Sequence, residues 1–321
     1  GAEVLADAAE VFGAAELIVK VKEPQPQEVA LLTPEHTLFT YLHLAPVPEL
    51  TDLLIASGAT SIAYETVTDH QGRLPLLAPM SEIAGRMAVQ AGARSLEMAC
   101  GGRGVLLAGA PGVPAADVLV IGAGVVGTNA MTIAIGMGAK VTVMDKSMAR
   151  LRELDLLFGN QIQTLYSTRT ALDEQLRHAD LVIGAVLVPG ESAPKLITRS
   201  HLETMKRGSV IVDVAIDQGG CAETSRATTH TQPLFVEEGV VHYCVANMPG
   251  AVARSSTLAL NNATLPFVLE IARQGTREAL LNNHNLLNGL STYRGELVSP
   301  EVAVSQKRCA SDRLTLLAKT R

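Results

Sequence analysis

A glycine-rich turn between an apolar run and a helical segment is the feature that most limits the fold of this chain. Residues 118–121 are Val-Leu-Val-Ile, and Gly122, Gly124 and Gly127 follow in a Gly-x-Gly-x-x-Gly pattern. In such a pattern the first glycine permits a tight turn, the second lets the backbone approach a pyrophosphate, and the third lets the helix pack closely on the strand. The N–H groups at the start of the helix would bind the phosphate charge. We therefore predict a dinucleotide-binding turn, with a purely structural βα turn as the alternative.

An acidic residue at the end of the next apolar run supports this prediction and suggests which dinucleotide is bound. A small-residue helix is predicted over 125–137, and the run 140–144 ends at Asp145, which lies 18 residues after Gly127. At about this spacing a carboxylate can accept hydrogen bonds from the ribose hydroxyls. Asp145 would repel a 2′-phosphate, so the pattern favours NAD. The adjacent Lys146 keeps NADP as an alternative.

Composition argues against several classes of partner. The chain has 321 residues, 47% of them hydrophobic, and a net charge of −6, so nucleic acid and anionic membranes are not expected partners. The mean hydropathy is +0.23, but no apolar stretch reaches the ~18 residues of a membrane span. The four cysteines form no CxxC pair, which predicts free thiols, no bound metal and a reducing, cytoplasmic compartment.

Strand-like and helix-like segments alternate through the middle of the chain. This alternation predicts an α/β fold with a Rossmann-type doubly wound parallel sheet, whose cofactor lies at the carboxyl ends of the strands. The loops after Val186, Val214 and Val245 should then face the cofactor. The predicted strands are 118–121, 141–144, 162–166, 181–186, 209–214 and 240–245, and the predicted helices between them are 125–137, 147–158, 171–178 and 199–205.

A second α/β unit is predicted from the two ends of the chain. Upstream strands are expected at 17–22 and 61–64, with a helix at 49–57. Two long helices, 79–99 with Ser81 as its N-cap and 255–274 interrupted by Pro266, would join the domains. We therefore predict a discontinuous substrate domain, residues 1–78 and 255–321, and an NAD-binding domain, residues 79–254.

Eight ordered stretches of the chain resemble the alanine dehydrogenase family, which is related to the nicotinamide domain of transhydrogenase. The resemblance runs from about residue 2 to about residue 300 and is more specific than the glycine pattern. The stretches are VKVKEP from Val19, LFTYLHL from Leu38, IAYET from Ile62, MSEIAGR from Met80, GGRGVL from Gly101, GAVLVPG from Gly184, VDVAIDQGG from Val212 and YCVANMPG from Tyr243.

The resemblance implies an L-alanine dehydrogenase that reversibly converts L-alanine to pyruvate and ammonia with NAD. It also implies a homo-oligomer, which is a hexamer in that family. It implies that Lys22 binds the substrate, that His43 is the acid–base residue, and that Asp217 is the catalytic aspartate near the nicotinamide. Asn247 would contact both substrate and cofactor. The cofactor-binding residues predicted from motif and resemblance together are Ser81, Gly122, Gly124, Val125, Val126, Gly127, Asp145, Ser167, Val186, Leu187, Val214, Asp217, Asn247 and Met248.

Simpler interpretations exist for several of these residues. Lys22 could be a surface lysine at a strand end, and His43 could be a hydrogen-bonded structural histidine. Asp217 could cap a turn before Gln-Gly-Gly, while Asp213 could be only a buried hydrogen-bonding group. Three further charged residues are more simply interpreted as salt-bridge partners that support the fold, namely Glu65, Arg86 and Arg103.

Two other functions remain open at this stage. One is another NAD-linked amino- or oxo-acid dehydrogenase, such as a lysine-pathway enzyme, on the same scaffold. The other is a truncated, non-catalytic NAD-binding or transhydrogenase-like module, because the resemblance implies a further N-terminal segment with a carboxylate-binding arginine before Gly1. The second alternative predicts NADH binding without turnover of any oxo acid.

Overall fold

The computed structural model describes residues 1–186 and 193–319, which divide into two compact units. Unit 1 contains Gly1–Pro79 together with the C-terminal residues from Leu258, and unit 2 is Met80–Thr257. In chain order the strands are β1 (Leu17–Val19), β2 (Thr37–Thr40), β3 (Thr60–Ala63), β4 (Asp117–Ile121), β5 (Lys140–Asp145), β6 (Ile162–Tyr166), β7 (Leu181–Gly184), β8 (Val210–Asp213), β9 (Leu234–Glu237), β10 (Val240–Tyr243), β11 (Leu290–Tyr293) and β12 (Glu296–Leu297).

The α-helices of both units surround these strands. They are α1 (Ala8–Ala14), α2 (Pro26–Val29), α3 (Pro48–Ser57), α4 (Ala78–Ser95), α5 (Val125–Gly136), α6 (Met148–Phe158), α7 (Arg169–His178), α8 (Arg199–Thr204), α9 (Ala253–Gln274), α10 (Thr276–Asn282), α11 (His284–Leu287), α12 (Pro300–Gln306) and α13 (Arg313–Lys319). Within the described ranges, no helix combines the length and apolar character needed to cross a membrane.

Unit 2 is built on a seven-stranded sheet with the order β6-β5-β4-β7-β8-β10-β9. Six strands are parallel, and each overlaps one of the six predicted runs. The order reverses between β4 and β7, which is the switch point where ligands bind in doubly wound folds. The predicted α/β class with a Rossmann-type parallel sheet is therefore confirmed. Sequence reasoning missed β9, which pairs antiparallel with β10 at the sheet edge.

The central strands of unit 2 are apolar throughout because both faces of the sheet are covered. Val118 and Val120 of β4 belong to one hydrophobic cluster, whereas Leu119 and Ile121 belong to a second. Successive side chains of a strand point to opposite faces, so a strand between two helix layers needs apolar residues at every position. This is why these segments read as continuous apolar runs in the sequence.

Unit 1 contains a five-stranded mixed sheet with the order β1-β2-β3-β11-β12. Strands β1, β2 and β3 are parallel, so their carboxyl ends lie at one edge of the sheet. Strand β11 runs antiparallel to β3 and forms a hairpin with β12. A cluster that includes Leu38, Leu42 and Leu54 forms a core on this sheet. The predicted strand 17–22 ends at Val19, which leaves Lys22 in the bend that follows.

Two details of the long helices differ from the sequence predictions. Helix α4 begins at Ala78, one residue before the predicted start at Pro79, so Ser81 lies inside the helix and is not its N-cap. Pro79 is tolerated in the first turn because the N–H groups there have no partner within the helix. Helix α9 continues through Pro266 without interruption. A missing N–H at one position removes a single backbone hydrogen bond, and the rest of the helix is retained.

Candidate functional site

The glycine turn of unit 2 has a distinct steric reason for each of its three glycines. Gly122 has φ of +100°, and a Cβ there would lie 2.6 Å from the Ala185 carbonyl oxygen. A Cβ on Gly127 would lie 1.9 Å from the Gly122 carbonyl oxygen, so the helix can approach the turn only without a side chain. A Cβ on Gly124 would meet no atom within 4 Å. Gly124 therefore faces open space at the N-terminus of α5, where a phosphate can approach the backbone.

Asp145 lies at the carboxyl end of β5, next to the glycine turn. The Ala123 N–H donates to Asp145 Oδ2 at 2.8 Å, and the Ser147 N–H donates to Oδ1 at 2.7 Å. Each carboxylate oxygen can accept a further hydrogen bond, so the group can still receive ribose hydroxyls. Ser167 follows β6 and donates its N–H to the Asp145 carbonyl at 2.9 Å. The structure therefore brings Gly122, Asp145 and Ser167 to one edge of the sheet.

Helix α4 reaches the same region through close packing on α5. A Cβ on Gly85 would lie 2.2 Å from the Val126 carbonyl oxygen, so the two helices touch at this glycine. Arg86 donates from Nε to Asn129 Oδ1 at 3.0 Å. Ser81 is one turn before Gly85 on α4, and Val125 and Val126 form the first turn of α5. The contact places the predicted cofactor residue Ser81 on the part of α4 that neighbours this turn.

Arg150 supports the glycine turn and was not singled out from the sequence. Its Nε donates to the Ala123 carbonyl at 2.7 Å, and its Nη2 donates to Thr128 Oγ1 at 2.6 Å. Glu153, one turn along α6, forms an ion pair with the same guanidinium at 2.6 Å. A basic residue in the first turn of the helix after Asp145 was the available signal. Arg150 therefore ties α6 to both the turn and α5.

Asp213 organises the loop that follows β8. It is fully buried and accepts hydrogen bonds from the backbone N–H groups of Ala215, Cys221 and Ala222 and from the Ser225 hydroxyl. The loop begins with a 3-10 turn, Val214–Gln218, which contains Asp217. Strand β8 thus ends at Asp213, one residue before the end of the predicted strand 209–214, and Asp217 lies in the turn that follows. Asp217 is exposed in this turn, and Val214 is half-buried at the carboxyl end of β8.

Two buried cysteines lie beside Asp213. Burial, with the nearby Asp213 carboxylate, raises the pKa of Cys221 well above its usual value, and burial raises the pKa of Cys244 to about 12. Cys309 is exposed and Cys100 is partly exposed. The thiolate is the nucleophile in thiol chemistry, so the two buried groups are unreactive at neutral pH.

We expect a disulfide reagent to label Cys309 rapidly in the native protein and to label Cys221 and Cys244 only after unfolding. Peptide-resolved mass spectrometry after timed labelling measures this order. The double variant C100S/C309S is the control, because it should take up almost no reagent until denaturant is added. Rapid labelling of that folded variant would contradict the buried, protonated state of the two thiols.

The loops after β7 and β10 contain the remaining predicted cofactor residues. Val186 lies two residues after the end of β7, and its N would lie 3.1 Å from a Cβ on Gly122. Leu187 lies outside the described residues. Asn247 is exposed, has φ of +59° and accepts a hydrogen bond on its carbonyl from His230 Nε2 at 3.1 Å. Met248 is 3% exposed and packs into the core, so its role in lining the cofactor site stays a prediction.

In unit 1, Lys22 and His43 follow neighbouring parallel strands. Thr40 Oγ1 at the end of β2 donates to the Lys22 carbonyl at 3.0 Å. Lys22 is exposed, and the imidazole of His43 is 47% exposed. Because β1 and β2 are parallel and adjacent, their carboxyl ends place both side chains at one edge of the sheet. An ammonium donor and an imidazole at the same edge can together bind a carbonyl compound and transfer a proton.

Glu65 holds the backbone of His43 in an unusual conformation. His43 has φ of +48°, in the left-handed region that non-glycine residues seldom occupy. Its N–H donates to Glu65 Oε1 at 2.6 Å, and the Leu42 N–H donates to the same carboxylate at 3.2 Å. Glu65 lies in the 3-10 turn Tyr64–Thr66, directly after β3. The salt-bridge interpretation of Glu65 was wrong, because its carboxylate is used by backbone donors of the His43 turn.

The ring of Tyr41 supports the imidazole of His43 from one side. The two rings are stacked with centroids 5.8 Å apart and an interplanar angle of 22°. Burial, with the Glu65 carboxylate nearby, raises the pKa of Tyr41 above its usual value. The phenol therefore stays protonated and donates to the Leu76 carbonyl at 2.5 Å. Ring and backbone contacts together hold His43 in one place, as expected for a residue that transfers protons.

Charged residues away from these two edges have structural roles. Arg103 and Lys206 both form ion pairs with Asp180, at 2.8 and 2.9 Å, so the salt-bridge interpretation of Arg103 is confirmed. His242 is fully buried in β10, where burial lowers its pKa and the ring shares a hydrogen bond with Thr224 Oγ1 at 2.8 Å. Among the described residues, no three His, Cys, Asp or Glu side chains are grouped as metal ligands.

Comparison with known proteins places both units in one family. A model described as "Alanine dehydrogenase/PNT, N-terminal domain" matches residues 1–84, and one described as "Alanine dehydrogenase/PNT, C-terminal domain" matches residues 88–300. Alanine dehydrogenase of Halomonas elongata is 60% identical over 303 residues, which cover 94% of this chain and 82% of that protein.

Solved structures give the same result. A structure titled L-alanine dehydrogenase matches with a TM-score of 0.91 and 51% identity, covering 96% of this chain and 84% of its own. A transhydrogenase from Sinorhizobium meliloti matches with a TM-score of 0.76 and 26% identity, covering 92% of this chain and 82% of its own.

Proposed function

This chain belongs to the alanine dehydrogenase/PNT family, and from that membership we propose that it is an NAD-dependent L-alanine dehydrogenase. The reaction would convert L-alanine, NAD⁺ and water to pyruvate, ammonium, NADH and a proton, and it would run in both directions. The observation that carries the proposal is the 60% identity to an alanine dehydrogenase over 94% of this chain. The edge of unit 1 with Lys22 and His43 has the donor and the proton carrier that such a reaction needs.

The fit of a nicotinamide dinucleotide rests on the glycine turn of unit 2. The space in front of Gly124 at the N-terminus of α5 suits a pyrophosphate, and Asp145 suits a ribose with free hydroxyls. Ser81, Ser167, Val186 and Val214 would complete the binding surface. When bound, the nicotinamide supplies hydride transfer to and from the substrate carbon.

The residues of this chain would bind the substrate and move its protons. Lys22 would hydrogen-bond the carbonyl oxygen of pyruvate or the corresponding imine. His43 would take a proton from the water that adds to the substrate imine and return it to the departing amine. Asp217 would stabilise the cationic imine through its negative charge. Asn247, in its left-handed turn, would contact the substrate and the nicotinamide ring.

Asp145 should determine which dinucleotide is used. In Asp145→Asn, we expect the ratio of kcat/KM with NADPH to that with NADH to rise about tenfold or more, because the charge that repels a 2′-phosphate is removed. Steady-state kinetics with both cofactors measure the ratio. Asp155→Asn, at an exposed position on α6, is the matched control and should leave the ratio unchanged. An unchanged ratio in Asp145→Asn would show that this carboxylate does not discriminate between the 2′-hydroxyl of NADH and the 2′-phosphate of NADPH.

Location and assembly are also part of the proposal. The four cysteines are free thiols, which suits a reducing cytoplasmic compartment. Family membership favours a homo-oligomer, and we propose a hexamer. Multi-angle light scattering gives the mass directly, and a monomer in solution would contradict this part.

The proposed reaction is tested by following NADH absorbance with purified protein, pyruvate and ammonium, each omitted in turn. We expect oxidation of NADH only when both are present, and reduction of NAD with L-alanine. Rates confined to longer 2-oxo acids would instead identify another amino-acid dehydrogenase. NADH binding without any turnover would indicate a binding module and would overturn the proposal.

A further inference from the structure

A glutamate beside His43 has a buried oxygen with no hydrogen-bond partner. Glu23 Oε2 is buried and, within the described part of the chain, accepts no hydrogen bond. The same oxygen lies 3.5 Å from His43 Nδ1, within the distance of an ion pair. A buried carboxylate oxygen without a donor is destabilising, because its hydration has been lost and not replaced. Glu23 Oε2 is therefore positioned to accept a hydrogen bond from a neighbouring side chain.

Local sequence fixes where this carboxylate lies. Glu23 precedes Pro24, and a residue before proline is restricted to extended backbone conformations. Pro24 is itself buried, which anchors the segment against unit 1. The Glu23 side chain, 34% exposed, is thus presented toward His43 from a segment with little conformational freedom.

The other polar groups near His43 have different partners or contacts. The Glu65 carboxylate accepts the N–H groups of Leu42 and His43 and so acts on the backbone of this turn. Tyr41 is protonated and contacts the face of the ring. Lys22 is the adjacent cation, and its carbonyl is bound by Thr40. Of these neighbours in unit 1, Glu23 is the one that faces a ring nitrogen.

We propose that Glu23 is a positioning residue that accepts the Nδ1 proton of His43 and leaves Nε2 free to exchange protons with the substrate. An imidazole has one proton to place when neutral, and the hydrogen bond at one nitrogen decides which nitrogen has the free lone pair. A carboxylate at Nδ1 selects the Nδ1–H form and also stabilises the imidazolium that forms when Nε2 takes a proton. The catalytic part of this inference rests on the proposed function.

The test compares Glu23→Gln, which keeps a neutral acceptor, with Glu23→Met, which keeps the length of the side chain without an acceptor. The first readout is the rate at which diethyl pyrocarbonate acylates His43, measured by peptide-resolved mass spectrometry at alkaline pH, where free imidazole is neutral. The exposed His178 in unit 2 is the internal reference. We expect the rate relative to His178 to fall in the order native, Glu23→Gln, Glu23→Met, by roughly tenfold overall, because Nε2 loses its fixed lone pair.

The second readout is the division of the kinetic effect between kcat and KM. We expect kcat to fall in the same order, by roughly 10- to 100-fold in Glu23→Met, with KM for pyruvate changed by less than about threefold. Partial rescue by Glu23→Gln separates orientation of the ring from a general loss of structure. Glu35→Gln, at an exposed position of unit 1, is the matched control and should leave both readouts unchanged.

The two proposals fail in distinguishable ways. Equal acylation of His43 in the native protein and in a folded Glu23→Met variant would overturn the role of Glu23, and so would an unchanged kcat. If the native protein does not turn over pyruvate and ammonium, the proposed function fails, and the acylation order alone then decides whether Glu23 orients His43.

Discussion

Replacing His43 by Asn should lower kcat for reductive amination of pyruvate by about 100-fold or more while the protein stays folded. General acid–base catalysis contributes roughly 10²- to 10⁴-fold, and an amide cannot transfer protons near neutral pH. Asn is a suitable replacement because it tolerates the left-handed conformation that His43 adopts, with φ of +48°. Its N–H can therefore still donate to Glu65. Stopped-flow and steady-state rates with pyruvate and ammonium measure the loss.

The matched control is His70→Asn, which changes an exposed histidine of the same unit. It should keep native kcat and native thermal stability. If His43→Asn retained kcat within about threefold of the native value, then His43 would not be the proton-transfer group, since that loss is far below the contribution of an acid–base residue. A large drop in thermal stability would instead show that the imidazole supports the fold of unit 1.

Two alanine substitutions in the glycine turn should have opposite consequences. In Gly127→Ala the new methyl would lie 1.9 Å from the Gly122 carbonyl oxygen, so α5 must shift away from the sheet. We expect a loss of about 1–3 kcal/mol in the free energy of unfolding, which is the usual cost of overpacking a tightly packed site. In Gly124→Ala the methyl meets no protein atom within 4 Å, so stability should change by less than about 0.5 kcal/mol.

The two variants should also differ in their affinity for the cofactor. Gly124→Ala places its methyl where the pyrophosphate would approach, so we expect the Kd for NADH to rise about tenfold or more in a protein of native stability. Denaturant unfolding and NADH fluorescence titration measure the two effects on each variant. Native NADH affinity in Gly124→Ala would show that the dinucleotide does not pass over this turn. Native stability in Gly127→Ala would contradict the close packing of α5.

Much of unit 2 was predictable because its signals are local. The central parallel strands are apolar runs, since residues such as Leu119 and Val120 are buried on opposite faces of the same sheet. The glycine spacing requires a specific turn between strand and helix, and Asp145 ends the next strand as predicted. Strand β9 was harder to predict because it is a short edge strand with incomplete burial.

Errors at the helices have a common physical reason. Proline and serine have strong preferences at helix ends, but a preference of about 1–3 kcal/mol for one residue can be overcome by the packing of a long helix. Thus α9 continues through Pro266, and Ser81 lies inside α4 instead of capping it.

The candidate catalytic edge of unit 1 could be predicted only in part. The resemblance identified Lys22 and His43, but nothing local in the sequence indicates that Glu65 binds the His43 turn, or that Glu23 faces its ring. These contacts join residues 22 and 20 positions apart in the chain. They exist because β1, β2 and β3 pair in parallel and bring their carboxyl ends together.

The sequence by itself determined the class of fold, the glycine turn and the family, because apolar periodicity, glycine spacing and ordered motifs are properties of neighbouring residues. Tertiary structure alone decided which polar groups meet. Asp213 became the centre of a loop because four donors converge on it in the buried interior, where each polar group must be paired. The left-handed turn at His43 depends in the same way on Glu65. Glu65 is far from His43 in the sequence, and the pairing of the strands brings the two residues into contact.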